Sequence, residues 1–404
     1  MPEHETVPPP GATPPGATPP EATPPEATPP EATLTEATLT EAPLTEAPLT
    51  EAPLTEAPLP KAPLPKAPLT VAELSESQLL ERIFPRLHYG QEHNPSLILG
   101  PGDDAAIVAA PDGRAVLSID TQVADQDFRL EWNNGYRTTG YDVGWKAAAQ
   151  NLSDINAMGA RATSLVVSLT MPPETRVAWV EDFADGLSAG IRELGAPDCA
   201  VAGGDLGRGR ELAVSVAILG TLDGGSPVLR SGARAGDTLA LAGTVGRAAA
   251  GLALLESATP VEALTKDQRA LMDTQCRPRP PLAGGPLARD SGATAMMDIS
   301  DGLVRDGNRM ASASHTVLNL DAAVLEQLAV PLLPAAGLLG TDPMAWILGG
   351  GEDHGLLATF PPGLQLPHGF TAIGSVEASA PTDSTGVKIA GRPVDTVGWD
   401  HFAD

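Results

Sequence analysis

Asp298-Ile299-Ser300-Asp301-Gly302, at the end of the apolar run 294–297, and Pro101-Gly102-Asp103-Asp104, just ahead of the apolar run 105–110, decide how this chain reads. Each sets two carboxylates beside a glycine at the edge of a predicted strand, where side chains are presented to a ligand. The pattern recurs at Asp120 after Val116-Leu117-Ser118-Ile119, at Asp154 in Asn151-Leu152-Ser153-Asp154, and at Asp205 in Gly203-Gly204-Asp205. Asp and Gly are common turn residues, which explains any single pair. It does not explain five sites of similar context. Carboxylates gathered this way need cations, and Mg2+ takes one or two carboxylates plus water and phosphate oxygens. Several aspartates from separate segments therefore predict several magnesium ions holding a polyphosphate.

The 404 residues, 42% hydrophobic and 19% charged, suffice for two ordinary domains. Cys199 and Cys276 stand far apart with no Cys-x-x-Cys or His-x-x-x-His partner, so neither a disulfide framework nor a zinc site is expected. The start Met-Pro-Glu-His-Glu has no basic region, and no uninterrupted apolar run reaches the roughly 18 to 20 residues that span a bilayer. A soluble, cytoplasmic protein without membrane contact is expected. The net charge of −26 argues against nucleic acid and anionic membranes, which need Lys and Arg against phosphate. Residues 1–70 hold ten Glu and two Lys, a net of −8, which leaves −18 on the rest.

From residue 11 to residue 70 the chain runs in five-residue units, from Gly-Ala-Thr-Pro-Pro through Glu-Ala-Pro-Leu-Thr to Lys-Ala-Pro-Leu-Pro. Proline blocks helix, and the units hold too little apolar surface to offset the entropy of ordering. Residues 1–70 are expected to be a disordered or polyproline-like tail. Order is expected from about Ser75, where Ser75-Glu76-Ser77-Gln78 resembles a capping box ahead of Leu79, Leu80, Ile83, Phe84 and Leu87 at helical spacing. Strands at 115–123, 164–170, 199–202 and 211–222 alternate with helices at 141–158 and 174–194. The loop Asp223-Gly224-Gly225-Ser226-Pro227 marks a boundary. Beyond it come strands at 238–242, 294–297 and 316–320, helices after Gly246 and at 302–314, and the loop Gly349-Gly350-Gly351-Glu352-Asp353 before another strand. The class is mixed α/β in two domains, 71–225 and 226–404.

The chain has no Gly-x-x-x-x-Gly-Lys-Ser/Thr loop, since none of its five lysines follows such glycines, and no protein-kinase His-Arg-Asp or Asp-Phe-Gly string. Gly186-Leu187-Ser188-Ala189-Gly190 matches a hydrolase elbow but falls inside a predicted helix. Arg208 and Arg210, read as following Asp205 in a glycine-rich turn, and Arg230 offer guanidinium forks for phosphate. Trp132, Trp399, Phe128 and His401 are candidates to line a site for a flat ring, against the default of core packing.

Gly102-Asp103-Asp104-Ala105, the strand end 118–121, Asn151-Leu152-Ser153-Asp154 with Ala157-Met158-Gly159-Ala160, Gly203-Gly204-Asp205, Arg230-Ser231-Gly232-Ala233, Asp298-Ile299-Ser300-Asp301-Gly302, the loop 349–353 and Asp400-His401-Phe402 resemble, in order, thiamine-monophosphate kinase. The resemblance implies the aminoimidazole ribonucleotide synthetase superfamily. In that fold an N-terminal α/β domain dimerises through its sheet, a C-terminal α/β domain follows, and ATP binds in the cleft between them. It implies transfer of the γ-phosphate of ATP to thiamine phosphate, giving thiamine diphosphate and ADP, by a cytoplasmic homodimer. Carried over position by position, Asp104, Ser118, Asp120, Asp154, Asp205, Asp298 and Asp301 would hold Mg2+, with Asp154, Asp298 and Asp301 central to catalysis. Gly204, Asp205, Arg230 and Ser300 would meet ATP, joined by the phosphate candidate Arg208, and Glu352 and Trp399 the thiamine side, where Asp127 stands in for the residue the family has.

The departures gather at the acceptor. Asp125-Gln126-Asp127-Phe128 replaces a Gly-Asn-His-Phe string, Leu206-Gly207 a Thr-Thr pair, His354-Gly355 a Tyr-Glu pair, and Trp399 a tyrosine; Ile119 stands where a threonine is usual. The acceptor in this reading is already a phosphate, so in-line transfer needs no general base and no covalent enzyme intermediate. The rival readings are another ATP-dependent enzyme on the same scaffold and a nucleotide-binding interaction protein without turnover.

Overall fold

In the computed structural model, which describes residues 68–87, 94–100, 105–379, 385–395 and 397–399, Ser75 and Gln78 cap each other as their spacing predicts. Gln78 Oε1 accepts from Ser75 N–H at 2.9 Å and Ser75 Oγ from Gln78 N–H at 3.3 Å, starting α1 (Glu76–Leu87). The repeat 1–67, Asp103, Asp104 and His401 lie outside the described residues. Order begins before Ser75. Val71 and Ala72 N–H donate to the carbonyls of Thr175 and Pro173, and Val177 N–H to that of Leu69, so residues 68–74 are tied down by backbone pairing, with Thr70 and Glu73 forming a capping box of their own.

After the short ladder of β1 (Leu97–Leu99) and β2 (Ile107–Val108) come β3 (Val116–Val123), α2 (Gly140–Ala157), β4 (Arg161–Met171), α3 (Val177–Glu193), β5 (Ala200–Arg208) and β6 (Ala213–Thr221). These four strands pair in the order β3-β6-β4-β5, with β4 and β5 parallel across the α3 crossover. Strand side chains alternate between faces. Ser118, Asp120 and Gln122 of β3 turn toward α2, while Leu117 and Ile119 are 69% and 65% exposed on the other face. Across that open face Ile119 pairs with Ala217 and Ala217 with Val166, an apolar row over three strands.

Helix α2 is buried almost all round, wedged between this sheet, α3, α5 and β8. Only small residues permit such contact: a Cβ on Gly144 would lie 2.1 Å from the Phe183 carbonyl oxygen, and one on Gly186 2.1 Å from that of Tyr141. The Gly186–Gly190 string is thus a helix-packing surface, and Ser188 Oγ donates to the Arg86 carbonyl at 2.7 Å. Residues 203–208 are a correction to the sequence reading. They form the second half of edge strand β5, not a turn, with Arg208 its last residue. Pairing to β4 overrides the weak strand propensity of Gly-Gly-Asp, and Gly204 is required there because a Cβ would meet the Val167 carbonyl at 2.2 Å.

The remaining elements are β7 (Thr238–Ala242), α4 (Arg247–Glu256), α5 (Lys266–Cys276), α6 (Gly284–Asp290), β8 (Ala295–Ile299), α7 (Leu303–Ser314), β9 (Thr316–Leu320), α8 (Ala322–Ala329), α9 (Leu333–Leu339), α10 (Pro343–Gly349), β10 (Gly355–Phe360), β11 (Phe370–Ala378), β12 (Gly386–Ile389) and β13 (Arg392–Pro393). The strands form a sheet of order β13-β12-β9-β11-β7-β10-β8, antiparallel except for β12 beside β9. Edge strand β8 abuts α2 and carries Asp298 inside the strand. The 18-residue stretch Ala322–Leu339 is long and apolar enough to cross a membrane by composition. Pro331 and Pro334 lie where it divides into α8, a 3-10 turn and α9, and Leu325, Leu332 and Ala335 are buried in the core. Cys199 and Cys276 are not joined in a disulfide, and burial pushes both thiols up to about 12.

Candidate active site

Helix α2, the inner face of β3 and the end of β8 bound a cleft of about 600 Å3. Lys146, Gln150 and Asp154 follow one another at four-residue spacing along α2, so one helix furnishes a row of polar groups beside it. Gln122 Nε2 donates to Gln150 Oε1 at 2.8 Å, and Ser118 Oγ donates to Asp154 Oδ2 at 2.5 Å, fixing the helix row against the strand. Ser153 Oγ donates to Asp298 Oδ2 at 3.1 Å, and His354 Nδ1 lies 3.4 Å from the same oxygen.

Asp120, Asp154 and Asp298 act on one another electrostatically. Burial, then the charges of Asp298 and Asp120, push Asp154 up to about 7. Asp120 is raised as well, by burial foremost and by Asp298, while His354 and a hydrogen bond with Asp154 pull the other way. Burial likewise pushes Asp306 up to about 6, although the Asp301 N–H donates to it and Arg309 pairs with both Asp306 and Asp301. Burial and neighbouring carboxylates raise Asp120 and Asp154, and such a donor set fits a hard divalent ion. Among the described residues no three His, Cys, Asp or Glu side chains already close around one point. Mg2+ does not need them to, because it usually keeps several waters and takes the remaining oxygens from phosphate.

Another part of the cleft wall is built on the loop 349–354, which reaches Asp298 through His354 and the backbone of Ser300 through Glu352. Asp353 is buried and accepts from Thr244 Oγ1, Arg247 N–H and Ala248 N–H, which nails the loop to the start of α4. Gly351 permits the fold-back, since a Cβ would lie 2.0 Å from the Ser300 carbonyl. Glu352 and His354 both sit at positive φ, 65° and 54°, in a region non-glycine residues adopt rarely and mostly where surroundings enforce it. Glu352 N–H donates to the Ser300 carbonyl at 2.9 Å. Burial would raise the Glu352 carboxyl, yet Lys146 Nζ at 2.5 Å and Gln275 Nε2 at 2.5 Å hold it below its ordinary value. Asp127 also lines the cleft, and one of its carboxylate oxygens accepts from the Val123 N–H at 2.7 Å. Trp132, Trp346 and Trp399 supply indole surface there, from three distant parts of a chain that is only 3% aromatic. Trp399 is held at its backbone by the Asp301 carbonyl, 2.9 Å away.

The cleft thus gathers Asp120, Asp127, Asp154, Asp298, Ser300, Asp301, Glu352 and Trp399, with Ser118 beside Asp154. Gly204 and Asp205 instead line a separate, mostly apolar groove of about 630 Å3 between α1 and the β4–β5 edge. Arg208 and Arg230 are exposed and line neither. Asp104 falls outside the described residues. Of the ring candidates, Trp132 lines the cleft, while Phe128 is buried behind it. Lys146, Gln150, Gln275 and Trp346 were missed. A signal existed for Lys146, a lone lysine in a predicted helix, eight residues before Asp154.

Residues 102–222 match the family described as AIR synthase related protein, N-terminal domain. The thiamine-monophosphate kinase of Mycobacterium tuberculosis (strain CDC 1551 / Oshkosh) is 45% identical over 294 residues, 73% of this chain and 84% of that protein. The crystal structure of thiamine-monophosphate kinase from Stenotrophomonas maltophilia K279a superposes with a TM-score of 0.65 at 31% identity, covering 77% of this chain and 96% of that one. AaThiL complexed with AMPPCP and TMP superposes with a TM-score of 0.63 at 30% identity, covering 82% and 98%. With its AIR synthase-related fold and relatives this similar over most of their length, the chain belongs to the thiamine-monophosphate kinase family.

Proposed function

We propose that the protein transfers the γ-phosphate of ATP to thiamine phosphate, in line and with magnesium, giving thiamine diphosphate and ADP. The observation that carries this reading is the convergence of Asp120, Asp154 and Asp298 in one cleft that Glu352 and three tryptophans also line. Ser118, Asp120, Asp154, Asp298 and Asp301 would hold the metal, which when bound offsets the charge of two polyanions brought together. The acceptor oxygen belongs to a phosphate, so the site's task is alignment, and no side chain is needed as a base. His354, turned onto Asp298, serves the metal end as an orienting partner. The thiazolium of the acceptor carries a fixed positive charge, which the Glu352 carboxylate and the indole faces of Trp132, Trp346 and Trp399 suit. The assignment of Asp104, Gly204, Asp205, Arg208, Arg230 and Ser300 to the nucleotide and its metals rests on the resemblance of their strings.

In the same reading residues 71–225 and 226–404 are the two domains that form the cleft walls. The subunit is half of a homodimer joined through the open face of the four-stranded sheet, supported by the exposed Ile119 and Val166 on either side of the half-buried Ala217. A coupled ADP-release assay tests the reaction. ADP should appear only with ATP, magnesium and thiamine phosphate together, and ADP release that is indifferent to thiamine phosphate would show another acceptor.

A further inference from the structure

Lys146 is only 3% exposed, and burying an ammonium is costly unless it is paired. Its Nζ reaches Glu352 Oε1 at 2.5 Å and donates to the Asp127 carbonyl at 3.0 Å. Gln275, on α5, donates from Nε2 to the second Glu352 oxygen at 2.5 Å. Three separate segments therefore meet at one buried charge: helix α2, the turn that follows β3, and the loop ahead of β10. The Glu352 side chain is 34% exposed to the cleft, while that of Lys146 is 4% exposed behind it. The carboxylate faces the ligand space and the ammonium does not. On the rule that a pre-formed pocket binds better than one assembled on contact, the pairing has a purpose beyond stability.

Resting on the reading that Glu352 takes the cationic end of thiamine phosphate, we infer that Lys146 is a positioning residue for the acceptor, holding Glu352 and the Asp127 turn in register before the ligand arrives. It touches neither substrate. Loss of an ion pair that served folding alone would lower stability without distinguishing the two substrates.

The test uses the full chain and four proteins beside wild type: Lys146→Met, Gln275→Met, Glu352→Gln and the Lys146→Met/Glu352→Gln double variant. Lys146→Met should raise KM for thiamine phosphate about tenfold and leave KM for ATP within about twofold, and the double variant should be no worse than Glu352→Gln alone by more than about twofold. Gln275→Met removes the second arm of the clamp from another helix and should give the same split at about threefold, which keeps the inference testable if Lys146→Met does not fold. Equal rises in both constants, no rise, or multiplicative effects in the double variant would overturn it. Wild-type protein without thiamine phosphate-dependent ADP release would instead overturn the functional reading and this inference with it. Wild-type turnover with unsplit variants overturns the Lys146 role alone.

Discussion

Replacing Asp154 by Asn separates the metal reading from a merely acidic surface, because the two make opposite forecasts for stability and activity. Asp154 stands at about 7 against an ordinary 3.8, with burial the first cause and the Asp298 and Asp120 charges behind it. A carboxyl whose pKa is raised on folding stabilises the fold fully below its unfolded value, and that contribution is lost as pH rises through the folded value. Without divalent metal, the wild-type protein should therefore lose about 2–3 kcal/mol relative to Asp154→Asn between pH 5 and pH 8, at about 1.4 kcal/mol per unit. Asn keeps an oxygen to accept from Ser118 Oγ, so the fold has no other reason to fail. Urea unfolding in EDTA at the two pH values measures the gap, and added magnesium should close it by stabilising wild type more than the variant. Turnover by the variant should fall by at least about a hundredfold, since a neutral amide replaces a carboxylate poorly at a metal. Parallel pH profiles, or a variant rate within a factor of two of wild type at saturating magnesium, would refute the cluster.

Trp399→Ala keeps the backbone bond to Asp301 and removes only the indole, so KM for thiamine phosphate should rise about tenfold, near 1.4 kcal/mol, with little change for ATP; equal effects on both constants would remove Trp399 from the acceptor end. Truncation before Pro68 and before Ser75 should differ by about 2–4 kcal/mol in unfolding free energy, because the longer cut removes three backbone hydrogen bonds and the packing of Val71 and Leu74. Equal midpoints would mean that residues 68–74 contribute nothing. Ile119→Arg places a charge in the exposed apolar row without touching the cleft, and should turn a dimer into a folded monomer by light scattering; an unchanged mass would exclude that face.

What the sequence made legible was local. The Ser75–Gln78 box, the αL stop at Gly159 and the strand that delivers Asp298 follow from patterns within a few residues, and each appears where its pattern lies. Helix α5 carries an equally local signal, since Thr265 and Gln268 form a capping box at its start. Gly203-Gly204-Asp205 misled for a non-local reason. A glycine pair reads as a turn until a neighbouring strand approaches so closely that only glycine fits, and that neighbour is 37 residues away at Val167. The same holds for the site: the aspartates announced themselves one by one, whereas Lys146, Gln275 and Trp346 carry no motif and gain meaning only where the loop 349–354 folds onto α2.

That folding has a single physical origin. Helix α2 can lie between the sheet, α3 and β8 because it is rich in Gly and Ala. It carries Asp154 near its C-terminal end, facing the cleft, and Lys146 two turns earlier, behind it and paired with Glu352, so one rigid element sets the spacing between the carboxylates proposed for metal and the carboxylate proposed for the acceptor. A loop could offer the same residues, but not the same fixed distance between them, and in-line transfer between two anions depends on that distance more than on any single contact.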